Sequence, residues 1–256
     1  MDFLRPESLQ EALFLLAEHL SYTVLAGGTD VVVRRRAGKL TPGGYLDITR
    51  IPELREIRCG ETVFVGAAAV CAELERSAVL QTYGPLLAAA DLVPALTAAG
   101  AKAVIGRQGG RRRADIPDLV QGPGRCALEE GELIIGFEIP AFSPNTRWNF
   151  DKIGRRNALA ISRMNGAVRW EEDGGRMKNV RLCIGAAARR PGRFSGAESL
   201  LEGQAPDKPL FLRAGQAVSE EILAQTGLRE SSRYKLPVSA EFTARLLENA
   251  MGRIQV

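Results

Sequence analysis

The chain has 256 residues, of which 45% are hydrophobic and 25% charged, and its formal net charge at pH 7 is +4. This size and composition predict a soluble globular protein of one large or two modest domains, and they exclude a membrane-spanning chain because no apolar run is long enough to cross a bilayer. The N-terminus shows no export signal, so we expect a cytoplasmic protein. The arginine groups are scattered among acidic residues without an aromatic platform, which argues against nucleic acid as a partner.

The N-terminal half predicts alternating helices and strands. Apolar residues recur at helical spacing over residues 8–20, where Ser8 and Glu11 form a capping-box pattern at the start of the helix. Strand patterns follow at residues 22–25, 44–48 and 62–67. Further along, the sequence predicts two helices, a hairpin and a buried strand at residues 72–77, 85–99, 102–114 and 131–140.

The composition changes at residues 141–149, where Pro, Ser and Asn suit a linker. Beyond this stretch, strand patterns at 160–170 and 176–187 flank an Asp-Gly turn and predict an antiparallel hairpin. Three helical stretches follow at 195–201, 210–226 and 240–251, with prolines between them. The chain is therefore expected to form a mixed N-terminal part of about 145 residues and a smaller α+β part.

The single histidine and the spacing of the cysteines limit the chemistry. With only His19 available, neither a Ser–His–Asp arrangement nor a His-rich metal site is expected, so any chemistry would be carried by a bound cofactor. Cys59, Cys71, Cys126 and Cys183 lie far apart and form no CxxC pair, which argues against zinc and iron–sulfur ligation. We expect all four to be buried thiols in a reducing compartment.

The stretch "TVLAGGTDVVVRRR" at residues 23–36 places two glycines, a hydroxyl and a carboxylate after a predicted strand. Gly27 and Gly28 leave backbone N–H groups uncovered by Cβ atoms, and Thr29 adds a hydroxyl donor, so the turn suits a pyrophosphate. Two adjacent glycines also form ordinary tight turns, and the pattern is neither GxGxxG nor a Walker A loop. The spacing alone leaves a ligand cradle and a simple turn both open.

Eight longer motifs follow one another along the chain: "LAGGTD" (25–30), "YLDITRIPELREI" (45–57), "VFVGAAAVCAELERS" (63–77), "GPLLAAA" (84–90), "DLVPAL" (91–96), "GPGRCALEEGELIIGFEIP" (122–140), "FDKIGRRNALAISRMNGA" (150–167) and "RLCIGAAARRPGRFSGAESLLEG" (181–203). In this order they resemble the FAD-binding medium subunit of the molybdenum hydroxylases. That family includes xanthine dehydrogenase and the aerobic carbon monoxide and nicotinate dehydrogenases. The resemblance covers nearly the whole chain.

The resemblance implies an α+β flavoprotein of two domains. Residues 1–145 would form an FAD-binding domain of the vanillyl-alcohol-oxidase (PCMH) type, built from two α/β parts at about 1–55 and 56–145. Residues 146–256 would form a smaller α+β domain with an antiparallel sheet and helices. The implied partners are a large subunit with molybdopterin and a small subunit with [2Fe-2S] clusters. Electrons from these clusters would pass through FAD to NAD⁺ or another acceptor.

The resemblance also implies which residues bind FAD. Residues 25–30 match the first pyrophosphate loop, Asp91 a carboxylate that meets the flavin side of the cofactor, Ile134 an apolar position against the isoalloxazine, and Lys152 a lysine near the polar edge of the ring. Taken alone, Asp91 could equally be a helix N-cap, Ile134 a core residue and Lys152 a solvated strand residue. The full implied set is Leu25, Ala26, Gly27, Gly28, Thr29, Asp30, Asp91, Ile134 and Lys152, with no catalytic residue and no metal ligand.

One departure from the family pattern lies where Ala90 runs directly into Asp91. Family members carry a further stretch there, with a second glycine-rich motif that supplies the other half of the pyrophosphate cradle. One alternative is that the natural protein carries a segment that this sequence lacks, and a second is that the chain is a shortened relative that binds FAD weakly. As a third alternative, it is a scaffold or assembly subunit of the same complex that binds no flavin.

Overall fold

The computed structural model describes residues 2–77, 91–122, 124–154 and 162–252. The described strands are β1 (Asp2–Leu4), β2 (Tyr22–Leu25), β3 (Gly44–Asp47), β4 (Ile57–Cys59), β5 (Thr62–Gly66), β6 (Lys102–Arg107), β7 (Gly110–Asp115), β8 (Val120–Gly122), β9 (Arg125–Cys126), β10 (Leu133–Pro140), β11 (Thr146–Gly154), β12 (Ser162–Asp173), β13 (Arg176–Gly185) and β14 (Gly192–Arg193). The described α-helices are α1 (Leu9–Glu18), α2 (Val31–Arg36), α3 (Cys71–Arg76), α4 (Leu92–Ala99), α5 (Ile116–Leu119), α6 (Ser195–Leu201), α7 (Lys208–Thr226) and α8 (Ser232–Met251).

The chain divides into two compact units that are interleaved in sequence. The first unit consists of Met1–Val70, Lys102–Ala114 and Ala127–Ile139. The second unit consists of Cys71–Ala101, Asp115–Cys126 and Pro140–Val256. The contiguous domains 1–145 and 146–256 stay a prediction from the family resemblance.

Helix α1 shares one core with both sheets of the first unit. Strands β1, β3 and β2 form a parallel sheet in that order, and the second sheet has the order β4-β5-β10-β6-β7. The Ser8 half of the predicted capping box starts α1, because Ser8 Oγ accepts a hydrogen bond from the Glu11 N–H. The Glu11 carboxylate accepts its hydrogen bond from the Glu7 N–H and not from that of Ser8. The shared core contains Leu9, Ala12, Leu16, Leu46, Ile48, Ile51, Leu54, Val104, Leu133 and Ile135.

The second unit is built on the four-stranded sheet β11-β12-β13-β14. The predicted hairpin is confirmed, since β12 and β13 pair antiparallel and are joined by Gly174 and Gly175, both at positive φ. Helices α6, α7 and α8 share an apolar core with β12 and β13, with Trp170, Phe194, Phe211 and Phe242 as its largest side chains. Helix α4 packs against the same two strands.

Two predicted boundaries are wrong. Strand β11 begins at Thr146, inside the stretch assigned to a linker, because Trp148 and Asn149 are buried there. Helix α8 begins at Ser232 rather than at residue 240 and runs through Pro237, where the missing N–H removes one intrahelical hydrogen bond. Part of the helix predicted at 85–99 and the start of the strand predicted at 160–170 lie outside the described residues.

The expectation that all four cysteines are buried is also wrong. Cys183 is buried, and burial raises the pKa of its thiol to about 12. Cys59, Cys71 and Cys126 are exposed. Two of them end short strands and the third begins a short helix, positions at which a side chain need not face a core. Among the described residues, no helix is long and apolar enough to cross a membrane.

Helices α7 and α8 approach so closely at Gly215 that a Cβ atom there would lie 2.2 Å from the backbone oxygen of Ala240. A Gly→Ala change in a helix ordinarily stabilises by up to about 1 kcal/mol. We expect the reverse for Gly215→Ala, a loss of about 1–3 kcal/mol in the free energy of unfolding, because the helices must separate. Urea unfolding measures this difference.

The matched control for this prediction is Gly192→Ala in the same unit, since a Cβ atom at Gly192 meets nothing within 4 Å. Equal stability of the Gly215→Ala variant and the parent chain would contradict the close packing of the two helices.

Candidate functional site

The glycine loop predicted as a pyrophosphate cradle connects β2 to α2 in the first unit. Ala26, Gly27, Thr29 and Asp30 are exposed, and Gly28 has φ +72°, which lies in the left-handed region that favours glycine. The Val32 N–H donates to the Gly28 carbonyl oxygen at 3.0 Å, so the loop leads directly into the helix. The predicted strand and tight turn are therefore formed, and the turn is followed by helix α2, which the sequence did not predict.

The two glycines of this loop differ in their surroundings. A Cβ atom at Gly27 would meet no atom within 4 Å, so the backbone here is open to an approaching group. At Gly28 a Cβ atom would lie 3.4 Å from Val32 Cγ2 and 3.6 Å from Leu25 Cδ1. Gly28 thus serves the backbone turn, whereas Gly27 leaves access. An open backbone beside the exposed Thr29 fits one side of a pyrophosphate cradle.

A cavity of about 610 Å³ adjoins the loop and shares Leu25 with it. Its wall combines the apolar side chains of α2 with the Tyr45 ring, and the Arg35 guanidinium lies 5.9 Å from the centre of that ring. Arg36 also lines the cavity. Apolar walls with an aromatic ring and two cations suit a flat ring system that carries negative charge.

Asp47 is a buried carboxylate next to the loop that the sequence analysis did not single out. It is the register partner of Leu25 at the ends of β3 and β2. Burial favours a higher pKa for Asp47, but the hydrogen bonds from the Thr49 hydroxyl and N–H and the charges of Arg5 and Arg50 outweigh it, so its pKa is lowered. The ionised carboxylate fixes the turn that follows β3. The signal in the sequence was the "LDIT" pattern, typical of an Asx turn.

Asp91 lies at the N-cap position of α4, but its side chain makes no capping hydrogen bond. Its carboxylate accepts a short hydrogen bond from the hydroxyl of Ser162 at the start of β12. The carboxylate is therefore held by a strand instead of by its own helix. Nothing in the sequence pointed to Ser162, because Asp91 and Ser162 are far apart in the chain and no local pattern links them.

Lys152 is exposed in β11 and lies opposite Asn165 of β12. In the same ladder Gly154 pairs with Ser162, which binds Asp91. Lys152 and the Asp91 carboxylate thus belong to the same end of the four-stranded sheet. The Asn165 side chain is buried there, and its Oδ1 atom has no hydrogen-bond partner in the described structure.

Ile134 lies in β10 opposite Ile105, at a β-bulge. It is half-buried and is absent from the core beneath α1, to which its neighbours Leu133 and Ile135 both contribute. The bulge between Ile134 and Gly136 interrupts the regular alternation of side chains along the strand.

The implied FAD-binding residues are divided between the two units. Residues 25–30 and Ile134 belong to the first unit, and Asp91 and Lys152 belong to the second. The parts of the motifs at 84–90 and 155–161 lie outside the described residues.

Two protein-family models match the chain. The FAD binding domain in molybdopterin dehydrogenase matches residues 1–90 and 85–142, and the CO dehydrogenase flavoprotein C-terminal domain matches residues 149–250. The two segments of the first match overlap close to the junction of Ala90 and Asp91.

Individual relatives agree with these matches. The carbon monoxide dehydrogenase medium chain of Hydrogenophaga pseudoflava is 29% identical over 280 residues, covering 98% of this chain and 97% of that one. The xanthine dehydrogenase FAD-binding subunit of Escherichia coli O157:H7 is 27% identical, covering 98% and 93%. A solved structure of the Hydrogenophaga pseudoflava carbon monoxide dehydrogenase, lacking the Mo-pyranopterin moiety of its molybdenum cofactor, superposes with a TM-score of 0.91 at 26% identity, covering 99% and 98%.

The different roles of the two loop glycines predict different costs of substitution. Gly28→Ala should lower the free energy of unfolding by about 1 kcal/mol, because an L-residue is strained at positive φ. Gly27→Ala should leave stability nearly unchanged, since its Cβ atom enters open space. Thermal unfolding of both variants measures the difference. Equal losses from the two substitutions would contradict the loop geometry.

Proposed function

Because the chain belongs to the family of FAD-binding medium subunits of the molybdenum hydroxylases, we propose that it binds FAD and acts as the electron-transfer subunit of such an oxidoreductase complex. The observation that carries the proposal is the open backbone at Gly27 beside the exposed Thr29, within a chain that matches the FAD-binding family model from its first residue to residue 142. The loop provides what a pyrophosphate requires: N–H donors without a Cβ atom in the way.

The proposed roles of the residues follow from their positions. The loop residues Leu25, Ala26, Gly27, Gly28, Thr29 and Asp30 would hold the pyrophosphate, mainly through backbone N–H groups. Ile134 would pack against the isoalloxazine, and Lys152 would place a positive charge near its polar edge. Ser162 keeps the Asp91 carboxylate in place, ready to accept a hydrogen bond from the flavin side. When bound, FAD supplies the redox chemistry, and these residues orient it.

We further propose that the chain works with a large molybdopterin subunit and a small subunit with [2Fe-2S] clusters, and passes electrons to NAD⁺ or another acceptor. Support comes from the names of the relatives, which are a medium chain, an FAD-binding subunit and a subunit beta of dehydrogenases. The substrate oxidised by the complex would be chosen by the molybdopterin subunit.

The stretch absent between Ala90 and Asp91 bears on how tightly FAD is held. With the first loop alone, N–H donors reach the pyrophosphate from one side. Such a half-cradle provides fewer hydrogen bonds, each worth about 1 kcal/mol. We therefore expect this chain to bind FAD more weakly than a relative with both loops.

The proposal is tested by an absorption spectrum of the purified chain, followed by its intact mass and by titration with FAD. Flavin absorption, or quenching of FAD fluorescence on titration, is the expected result. A colourless chain of the mass of these 256 residues that neither quenches FAD nor gains thermal stability from it would overturn the proposal. Co-purification of such a chain with a cluster-bearing subunit would then favour the alternative that the chain is a scaffold subunit that binds no flavin.

The cradle itself predicts the effect of Gly27→Val. The added side chain would block the open backbone without straining the fold, so we expect FAD to bind at least about tenfold more weakly, equivalent to about 1.4 kcal/mol. Quenching of FAD fluorescence measures the dissociation constant.

The matched control is Gly110→Val in the same unit, because a Cβ atom at Gly110 likewise meets nothing within 4 Å. This variant should bind FAD as the parent chain does. Unchanged affinity of the Gly27→Val variant would count against the loop as the pyrophosphate site.

A further inference from the structure

Three arginines meet on one face of the four-stranded sheet in the second unit. Arg169 of β12 and Arg181 of β13 are direct cross-strand partners, and Arg193 of β14 is the partner of Cys183. Like charges directly opposite each other destabilise a sheet. The cluster therefore requires negative charge from another source.

Arg193 has its own counter-ion. Its guanidinium donates to both carboxylate oxygens of Glu198, at 2.9 and 2.7 Å. Glu198 is buried and also accepts the Leu182 N–H at 2.8 Å. This bidentate pair is internally satisfied. Glu198 and Asp115 also attract the Arg181 guanidinium, and Glu171 attracts that of Arg169, which offsets part of the repulsion between the two arginines.

Arg169 is only 7% exposed, and its buried Nε atom has no hydrogen-bond partner in the described part of the chain. Its guanidinium lies 4.8 Å from the centre of the Phe142 ring, a contact that offers attraction to the cation but accepts no N–H. Burial and the neighbouring charge of Arg181 lower its pKa to about 10, so Arg169 is still charged at neutral pH.

Arg181 lies beside the C-terminal end of α4. Its Nη1 atom is 2.9 Å from the position of a Cβ atom on Gly100, the left-handed cap of that helix. The negative end of the helix dipole lies there and favours a cation. It therefore stabilises the positive charge of Arg181 in part.

We infer that Arg169 and Arg181 together bind an oxyanion of a small-molecule ligand, a phosphate or a carboxylate group. Two guanidinium groups offer planar forks of N–H donors that match such oxygens. One bound oxyanion would satisfy the buried Nε atom and separate the two positive charges. The site lies wholly within the second unit and uses none of the residues assigned to FAD.

The test is the thermal unfolding midpoint of the full chain in inorganic phosphate, against chloride at the same ionic strength. At about ten times its dissociation constant, phosphate should raise the midpoint by about 3 °C. Arg169→Met should abolish this shift while keeping a side chain of similar length over Phe142. Arg181→Met, at a half-buried position, provides the same readout if the first variant does not fold.

Two controls locate the effect. Arg163→Met removes an exposed arginine of the same strand that lies over the Tyr234 ring, and it should keep the phosphate shift. Gly27→Val should also keep it, which separates this site from the proposed FAD cradle. A phosphate shift that survives both Arg169→Met and Arg181→Met would overturn the inference. The absence of any phosphate shift in the parent chain would also overturn it. If the two variants then lost binding to a partner subunit, the arginines would instead meet a carboxylate of that partner.

Discussion

Position 185 of strand β13 has no room for a side chain, because Asn165 of β12 and Pro94 of helix α4 both lie against it. A Cβ atom on Gly185 would be 2.1 Å from Asn165 Oδ1 and 2.9 Å from Pro94 Cγ. Helix α4 packs on β12 and β13 here, and each end of the helix meets a residue of the sheet. At its start, Asp91 meets Ser162, and at its end Gly100 lies under Arg181. The proposed FAD-binding carboxylate and the proposed oxyanion site thus depend on the same packing.

Adjacent glycines in the loop after β2 illustrate that one residue type serves two physical needs. Gly28 allows a backbone angle that side chains disfavour, and Gly27 keeps a surface uncovered. A sequence pattern of two glycines does not tell these uses apart. Only the surroundings of each Cβ position do so, because the direction in which the missing side chain would point depends on the whole turn.

What the sequence predicted well is local. The N-cap at Ser8, the strand 22–25 and the glycine turn between β12 and β13 each follow from residues within a few positions of one another. What it missed joins distant segments. The Asp91–Ser162 hydrogen bond and the Arg169–Arg181 pair exist only once the sheet has formed and α4 lies on it. The cysteines show the same limit, since burial is decided by neighbours from elsewhere in the chain.

The interleaving of the two units also affects how the chain folds as it is synthesised. Strand β10 lies between β5 and β6 in the five-stranded sheet, so this sheet cannot close until the ribosome has released residue 140. Helix α4 is made much earlier, yet it must wait with its apolar face uncovered until β12 and β13 emerge. A nascent chain of about half the full length would expose apolar surface from both units at once, which is the state that chaperones recognise.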